Sequence, residues 1–82
     1  MKKTADIPKK NLIGGRLRTL RLRATPQITL EDLAGRLAAR GVSLDRSAIG
    51  RLENGNRYVL DYEAVALAKA LRVKLADLFG VE

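Results

Sequence analysis

The sequence holds no cysteine, no histidine and no tryptophan, and its aromatic residues are limited to Tyr58, Tyr62 and Phe79. Without cysteine there are no disulfides, thiol nucleophiles or thiolate metal sites. Without histidine there is no imidazole for acid–base work or metal ligation. Long apolar runs are missing as well: none approaches the roughly 18 residues needed to cross a bilayer. The basic start, Met1 to Lys10, is not followed by the apolar stretch of about 7–15 residues that a signal peptide requires. A cytoplasmic, nucleoid-associated protein is therefore expected, with no membrane partner, no metal and no cofactor.

What is present fits one small domain. The chain has 82 residues, and a domain of this size buries only about 60% of its unfolded surface, leaving little volume for a deep catalytic pocket. Sixteen Lys and Arg stand against nine Asp and Glu, a formal charge of +7. Such an excess favours polyanionic partners through counterion release. Charge alone does not decide, because a solvated basic face has the same composition.

Residues 1–10 are lysine-rich, contain Pro8 and lack helical periodicity, so they read as a flexible basic arm. Lys2, Lys3, Lys9 and Lys10 on that arm could add electrostatic affinity or reach a groove. Residues 11–82 form the domain, and the apolar spacing there is helical throughout. Ile13, Leu17 and Leu20 follow a possible N-cap at Asn11, and Thr25-Pro26 ends that helix near Arg23. Thr29 with Asp32 is a capping-box pattern. It opens a second helix with Leu30, Leu33, Ala34, Leu37 and Ala38 on one face, closed by Gly41. Asp45 caps a third, with Ala48, Ile49 and Leu52 inward and Asn54-Gly55 as its stop. Asp61 is the expected cap of a fourth, striped by Ala64, Leu67, Ala68 and Leu71. Leu75, Leu78 and Phe79 make a last turn before Gly80. The fold class expected is all-α, a compact five-helix orthogonal bundle.

On a wheel of about 100° per residue, Arg46, Ser47, Gly50, Arg51 and Asn54 share an arc of roughly 140° on the third helix. Arginine can bind guanine O6 and N7 bidentately, and serine can serve several base edges. Gly50 costs up to ~1 kcal/mol relative to alanine in mid-helix. A close approach there, by a DNA backbone or a neighbouring helix, would account for it. A polar outer face is also what any short amphipathic helix presents, so the surroundings of this helix must decide.

Those surroundings carry a family likeness. The stretches I-G-G-R-L-R-T-L-R (Ile13–Arg21), T-L-E-D-L-A (Thr29–Ala34) and S-A-I-G-R-L-E-N-G (Ser47–Gly55) resemble the lambda repressor-like, Cro-type (xenobiotic response element) helix-turn-helix family of transcriptional regulators. The likeness continues through Asp61–Val73 and Leu75–Gly80. It implies that the second and third helices form the helix-turn-helix and that the third, about 45–53, enters the major groove. It further implies base reading by Arg46, Ser47 and Arg51. Phosphate contacts fall to Thr29 at the second helix N-terminus, to Gly50, Asn54 and Arg57. Arg21 and Glu53 match a pair that such domains keep inside. Physics agrees that Glu53, at the border of the buried arc, needs a cationic partner. Two departures stand out. Leu30 occupies a position where the family has a phosphate-binding glutamine, and it reads as added core. The turn between the second and third helices is longer than usual, with Val42 and Leu44 expected to tuck inward.

The functional expectation is sequence-specific binding of double-stranded DNA by a transcriptional regulator, working as a homodimer on a near-palindromic site. The alternative is a protein-interaction adaptor or an antitoxin-like subunit of the same fold. No enzyme is expected, since Asp32, Asp61 and Asp77 are accounted for as caps or exposed helix residues, with no base or nucleophile beside them. Tyr62 is read as packing rather than as a phosphate donor. If the protein dimerises, helix 5 with Leu78, Phe79 and Val81 is the proposed contact, though that surface could equally be the chain's own core.

Overall fold

In the computed structural model, which describes residues 9–81, the chain forms α1 (Gly14–Arg23), α2 (Leu30–Ala38), α3 (Arg46–Glu53), α4 (Asp61–Leu71) and α5 (Leu75–Phe79). No strand occurs among the described residues. Most of the expected basic arm, residues 1–8, lies outside them. Lys9 and Lys10 lie against the end of α3: Lys10 N donates to Gly55 O at 2.8 Å, and Lys9 Nζ to Asn54 O at 3.2 Å.

Helix starts follow local chemistry. The Thr29 hydroxyl accepts from Asp32 N at 3.0 Å while Asp32 Oδ2 accepts from Thr29 N, closing both halves of a capping box on α2. Asp45 Oδ1 accepts from Ala48 N at 2.8 Å and starts α3. Asn11 is not the cap of α1, a position that falls to Ile13, but its Oδ1 accepts from the N–H groups of Ile13 and Gly14 where the helix begins. Asp61 departs from expectation. It is the first residue inside α4 rather than its cap, and the cap position falls to Leu60, which has no polar side chain. Glu63 compensates by reaching back to accept from Leu60 N at 2.9 Å.

Helix ends are as regular. Gly41, Gly55, Arg72 and Gly80 all have positive φ. After each, the next residue's N–H returns to a carbonyl five residues back, as in Val42 N to Leu37 O and Asn56 N to Arg51 O. These are Schellman closures, which satisfy carbonyls that a helix end leaves open. Basic side chains serve further carbonyls: Arg16 Nε donates to Asp77 O at 2.6 Å, and Arg36 Nη1 to Ala70 O at 2.9 Å.

Ile13, Leu17, Leu33, Leu37, Ile49, Leu52, Leu67 and Leu78 are fully buried and form the centre of the core. α3 packs on α1 and α2, α4 on α2 and α5, and α5 closes back on α1. One approach is close enough to demand a particular residue. A methyl group on Gly14 would strike the carbonyl oxygens of Leu52 and Glu53 at the end of α3. The connection from 39 to 45 is held by Leu44, which is buried, and by Val42, which packs partly buried on the core; Leu30 packs there in the same way. Leu78 is internal, so only Phe79 and Val81 of the suggested contact patch reach the surface.

Candidate nucleic-acid interface

α3 is held rigidly from behind. Ala48, Ile49 and Leu52 are buried, and the opposite side carries Arg46, Ser47, Arg51 and Asn54, all exposed. Gly50 lies between them, and a methyl group added there would meet nothing within 4 Å. No contact among the described residues therefore explains this glycine.

The ends of the face are set by neighbours. Arg46 Nη1 lies 3.6 Å from Glu31 Oε2, in the first turn of α2 beside Thr29. This places the start of α3 near the start of α2, with a carboxylate between the two. At the far end, Arg51 and Arg57 both line a shallow depression floored by Ala34, Ala38 and Ala48. Behind the face, Arg21 Nε and Nη2 bond Glu53 Oε2 and Oε1 at 2.7 and 3.0 Å, and Arg21 Nη1 also donates to Ile28 O at 3.0 Å. The Glu53 side chain is only 3% exposed. The hydrogen bonds that Arg21 donates to Glu53 raise the Arg21 pKa, against the opposing effect of burial. This guanidinium is turned into the domain, away from solvent.

A third ion pair, like that of Arg46 with Glu31, is not anticipated from the sequence. Arg57 Nη1 lies 3.0 Å from Glu63 Oε1 and also donates to Tyr58 O at 3.0 Å. Burial alone would push the Glu63 carboxyl up, but the Arg57 guanidinium and the Leu60 N–H outweigh it and hold the group below its ordinary value of 4.5. Arg57 is therefore anchored to α4 while remaining partly exposed. The signal was available: Glu63 stands one turn before Leu67 on the inward side of α4, where an acid needs a partner. Asn11 Nδ2 adds a further brace, donating to Leu52 O at 3.1 Å and to Arg57 O at 2.8 Å. Every buried side-chain nitrogen and oxygen among the described residues has a hydrogen-bond partner.

Tyr62 does not join the core; it is 59% exposed on the outside of α4. Among the described residues there is no cluster of acids that could hold a metal ion, and no helix is long and apolar enough to cross a membrane.

Five short helices, with α2 and α3 joined as a helix-turn-helix pair, define an all-helical helix-turn-helix domain. Among solved structures, the chain is similar to the restriction-modification controller protein C.AhdI from Aeromonas hydrophila, whose crystal structure has been determined at high resolution. The two share 36% sequence identity with a TM-score of 0.69, over 82% of this chain and 87% of the other. This chain belongs to the helix-turn-helix family of that controller protein. No family model matches the sequence, and no curated protein matches it either.

Proposed function

We propose that the protein is a sequence-specific, Cro-type DNA-binding regulator that lays α3 in the major groove. The observation that carries this reading is the division of α3 into a buried face and an exposed row of Arg46, Ser47, Arg51 and Asn54. Arg46, Ser47 and Arg51 read base edges. Thr29 and the free N–H groups at the start of α2, the open backbone at Gly50, Asn54 and the anchored Arg57 meet phosphates. Two copies on a near-palindromic site would place their α3 helices in successive major grooves, with half-sites about 10 bp apart. By kinship with the restriction-modification controller protein, the regulated genes are those of a restriction-modification system. The site of action is the cytoplasmic nucleoid.

Random-site selection followed by sequencing, at one stated salt concentration, tests the reading. Enrichment of a two-fold symmetric sequence is the expected result. Recovery of unenriched sequence overturns it.

A further inference from the structure

A second charged region lies away from the exposed face of α3. On α2, Ala34, Gly35 and Ala38 form the flank bordering α3, while Arg36 projects from roughly the opposite side of the helix axis and Arg40 follows in the turn after the helix. They lean onto the end of α4, where Arg36 meets Ala70 O and Arg40 Nη2 lies 3.5 Å from Lys69 O. Arg36, Arg40 and Arg72 line one depression, and Lys69 stands with Arg40 at the edge of the next. None of these side chains forms an ion pair among the described residues. The C-termini of α2 and α4 each bring about −0.5 of dipole charge to the spot. Against the four full positive charges, that leaves a local excess of about +3 among the described residues.

The adjoining depression is apolar, with Val42, Tyr62, Val65 and Ala66 along it and Arg40 and Lys69 at its border. Tyr62 and Val65 are 59% and 40% exposed. Along α4, Tyr62, Val65 and Lys69 fall on one stripe of helical spacing, with Arg72 just past the helix end, so the surface grades from apolar to cationic. Asp61, at the start of α4, is about 16 Å from Arg72 along the axis.

We propose that this groove between the end of α2 and the outer face of α4 docks an acidic, amphipathic segment of a partner protein. Its apolar side chains would lie over Val42, Tyr62 and Val65, and its carboxylates would meet Arg36, Arg40, Lys69 and Arg72. Charge complementarity identifies the occupant. A nucleic-acid backbone would match the cations but has no use for the apolar half. A second copy of this chain would bring four like charges and, among the described residues of this face, the carboxylate of Asp61 alone.

The test uses the isotopically labelled full chain and a designed helical peptide of about 16 residues, long enough to hold a marginal helix. The peptide carries leucines at i, i+3 and i+7 and a glutamate cluster at one end. The amide signals of the labelled chain are expected to shift at residues 39–42 and 62–72. Binding should weaken about tenfold or more in an Arg40→Glu/Lys69→Glu variant and in Val65→Ser. Dispersed spectra elsewhere show that each variant is folded. A scrambled peptide of the same composition, tripolyphosphate and an unselected DNA duplex serve as the comparison probes. Equal shifts and affinity with any of them overturn the proposal, leaving a plain cationic patch. Shifts of the same residues with protein concentration alone overturn it in favour of a self-association face, and shifts confined to other residues, or none, also refute it. Wild-type binding to DNA is measured separately, so failure of the α3 reading is distinguishable from failure here.

Discussion

Arg21 and Glu53 are joined by two parallel hydrogen bonds, Nε to Oε2 at 2.7 Å and Nη2 to Oε1 at 3.0 Å, across the packed ends of α1 and α3. Removing one partner of such a pair strands the other in a desolvated place, at a typical cost of about 3–5 kcal/mol. For a domain of this size that corresponds to a fall in melting temperature of at least about 12 °C. Thermal unfolding of Glu53→Ala measures it directly, and an unchanged midpoint would show that the fork is not structural.

Two glycines on facing helices predict opposite outcomes. Gly14→Ala drives a methyl group into the backbone oxygens of Leu52 and Glu53. Since backbone cannot simply rotate away, a loss of about 1–3 kcal/mol is expected in urea unfolding. Gly50→Ala meets open space, so stability should rise by up to ~1 kcal/mol. If the open backbone at Gly50 serves a phosphate, the same variant binds DNA less tightly in a gel shift. Gain of stability with undiminished affinity would remove Gly50 from the interface.

Acid should act through Glu63. Its carboxyl is held below its ordinary value by Arg57 and the Leu60 N–H despite burial. The unfolded chain therefore takes up this proton first as pH falls. The stabilisation is complete at neutral pH, begins to fade near the ordinary value of 4.5, and is gone below the folded-state value. Glu63→Gln should be less stable at pH 7 and lose less on acidification to pH ~3. Parallel stability–pH curves for the two proteins would contradict this account.

Arg72 adopts the left-handed conformation, with φ of 61°, that glycine fills at the other Schellman closures. A side chain there costs roughly 1–2 kcal/mol. Arg72→Gly should raise the unfolding free energy by about 1 kcal/mol, read from denaturant melts. A lower value would mean that the Arg72 side chain contributes contacts outweighing the strain.

On the DNA side, Arg46→Ala and Arg51→Ala should each cost about 1–3 kcal/mol and relax preference at one base position. A uniform loss over all sequences would reassign that residue to phosphate. Glu31 pairs with Arg46 at the α2 end of the face, so Glu31→Gln should tighten binding by removing a charge that opposes phosphate. A weakened complex would make Glu31 a positioning partner of Arg46 instead.

Much of this architecture is readable from residue spacing. The Thr29/Asp32 box, the Asp45 cap and the inward triad Ala48, Ile49 and Leu52 depend on contacts within four residues, where sequence order and space nearly coincide. Arg21 and Glu53 could be matched because a buried acid calls for a base and a family likeness named it. The inward position of Glu63 could be read from α4 spacing, but its partner Arg57 could not, because it stands in a loop with no periodic signal. Asp61 misled for a related reason: acids are common both at the cap and just inside a helix, and only the reach of Glu63 to Leu60 N tells them apart. The placement of Arg16, Arg36 and Arg40 on helix-end carbonyls depended wholly on how helices distant in sequence come together.

The connection between α2 and α3 works like a tent line with one peg. Leu44 is driven into the core just before the Asp45 cap, while Gly41 to Ser43 bridge from the closure of α2 without a fully buried side chain. Length changes ahead of the peg can billow into solvent and leave α3 where it is. A change between Leu44 and Asp45 would twist the helix itself. Insertions and deletions in this connector are thus not interchangeable, and a designer wishing to vary its length without re-aiming α3 has one safe side on which to cut.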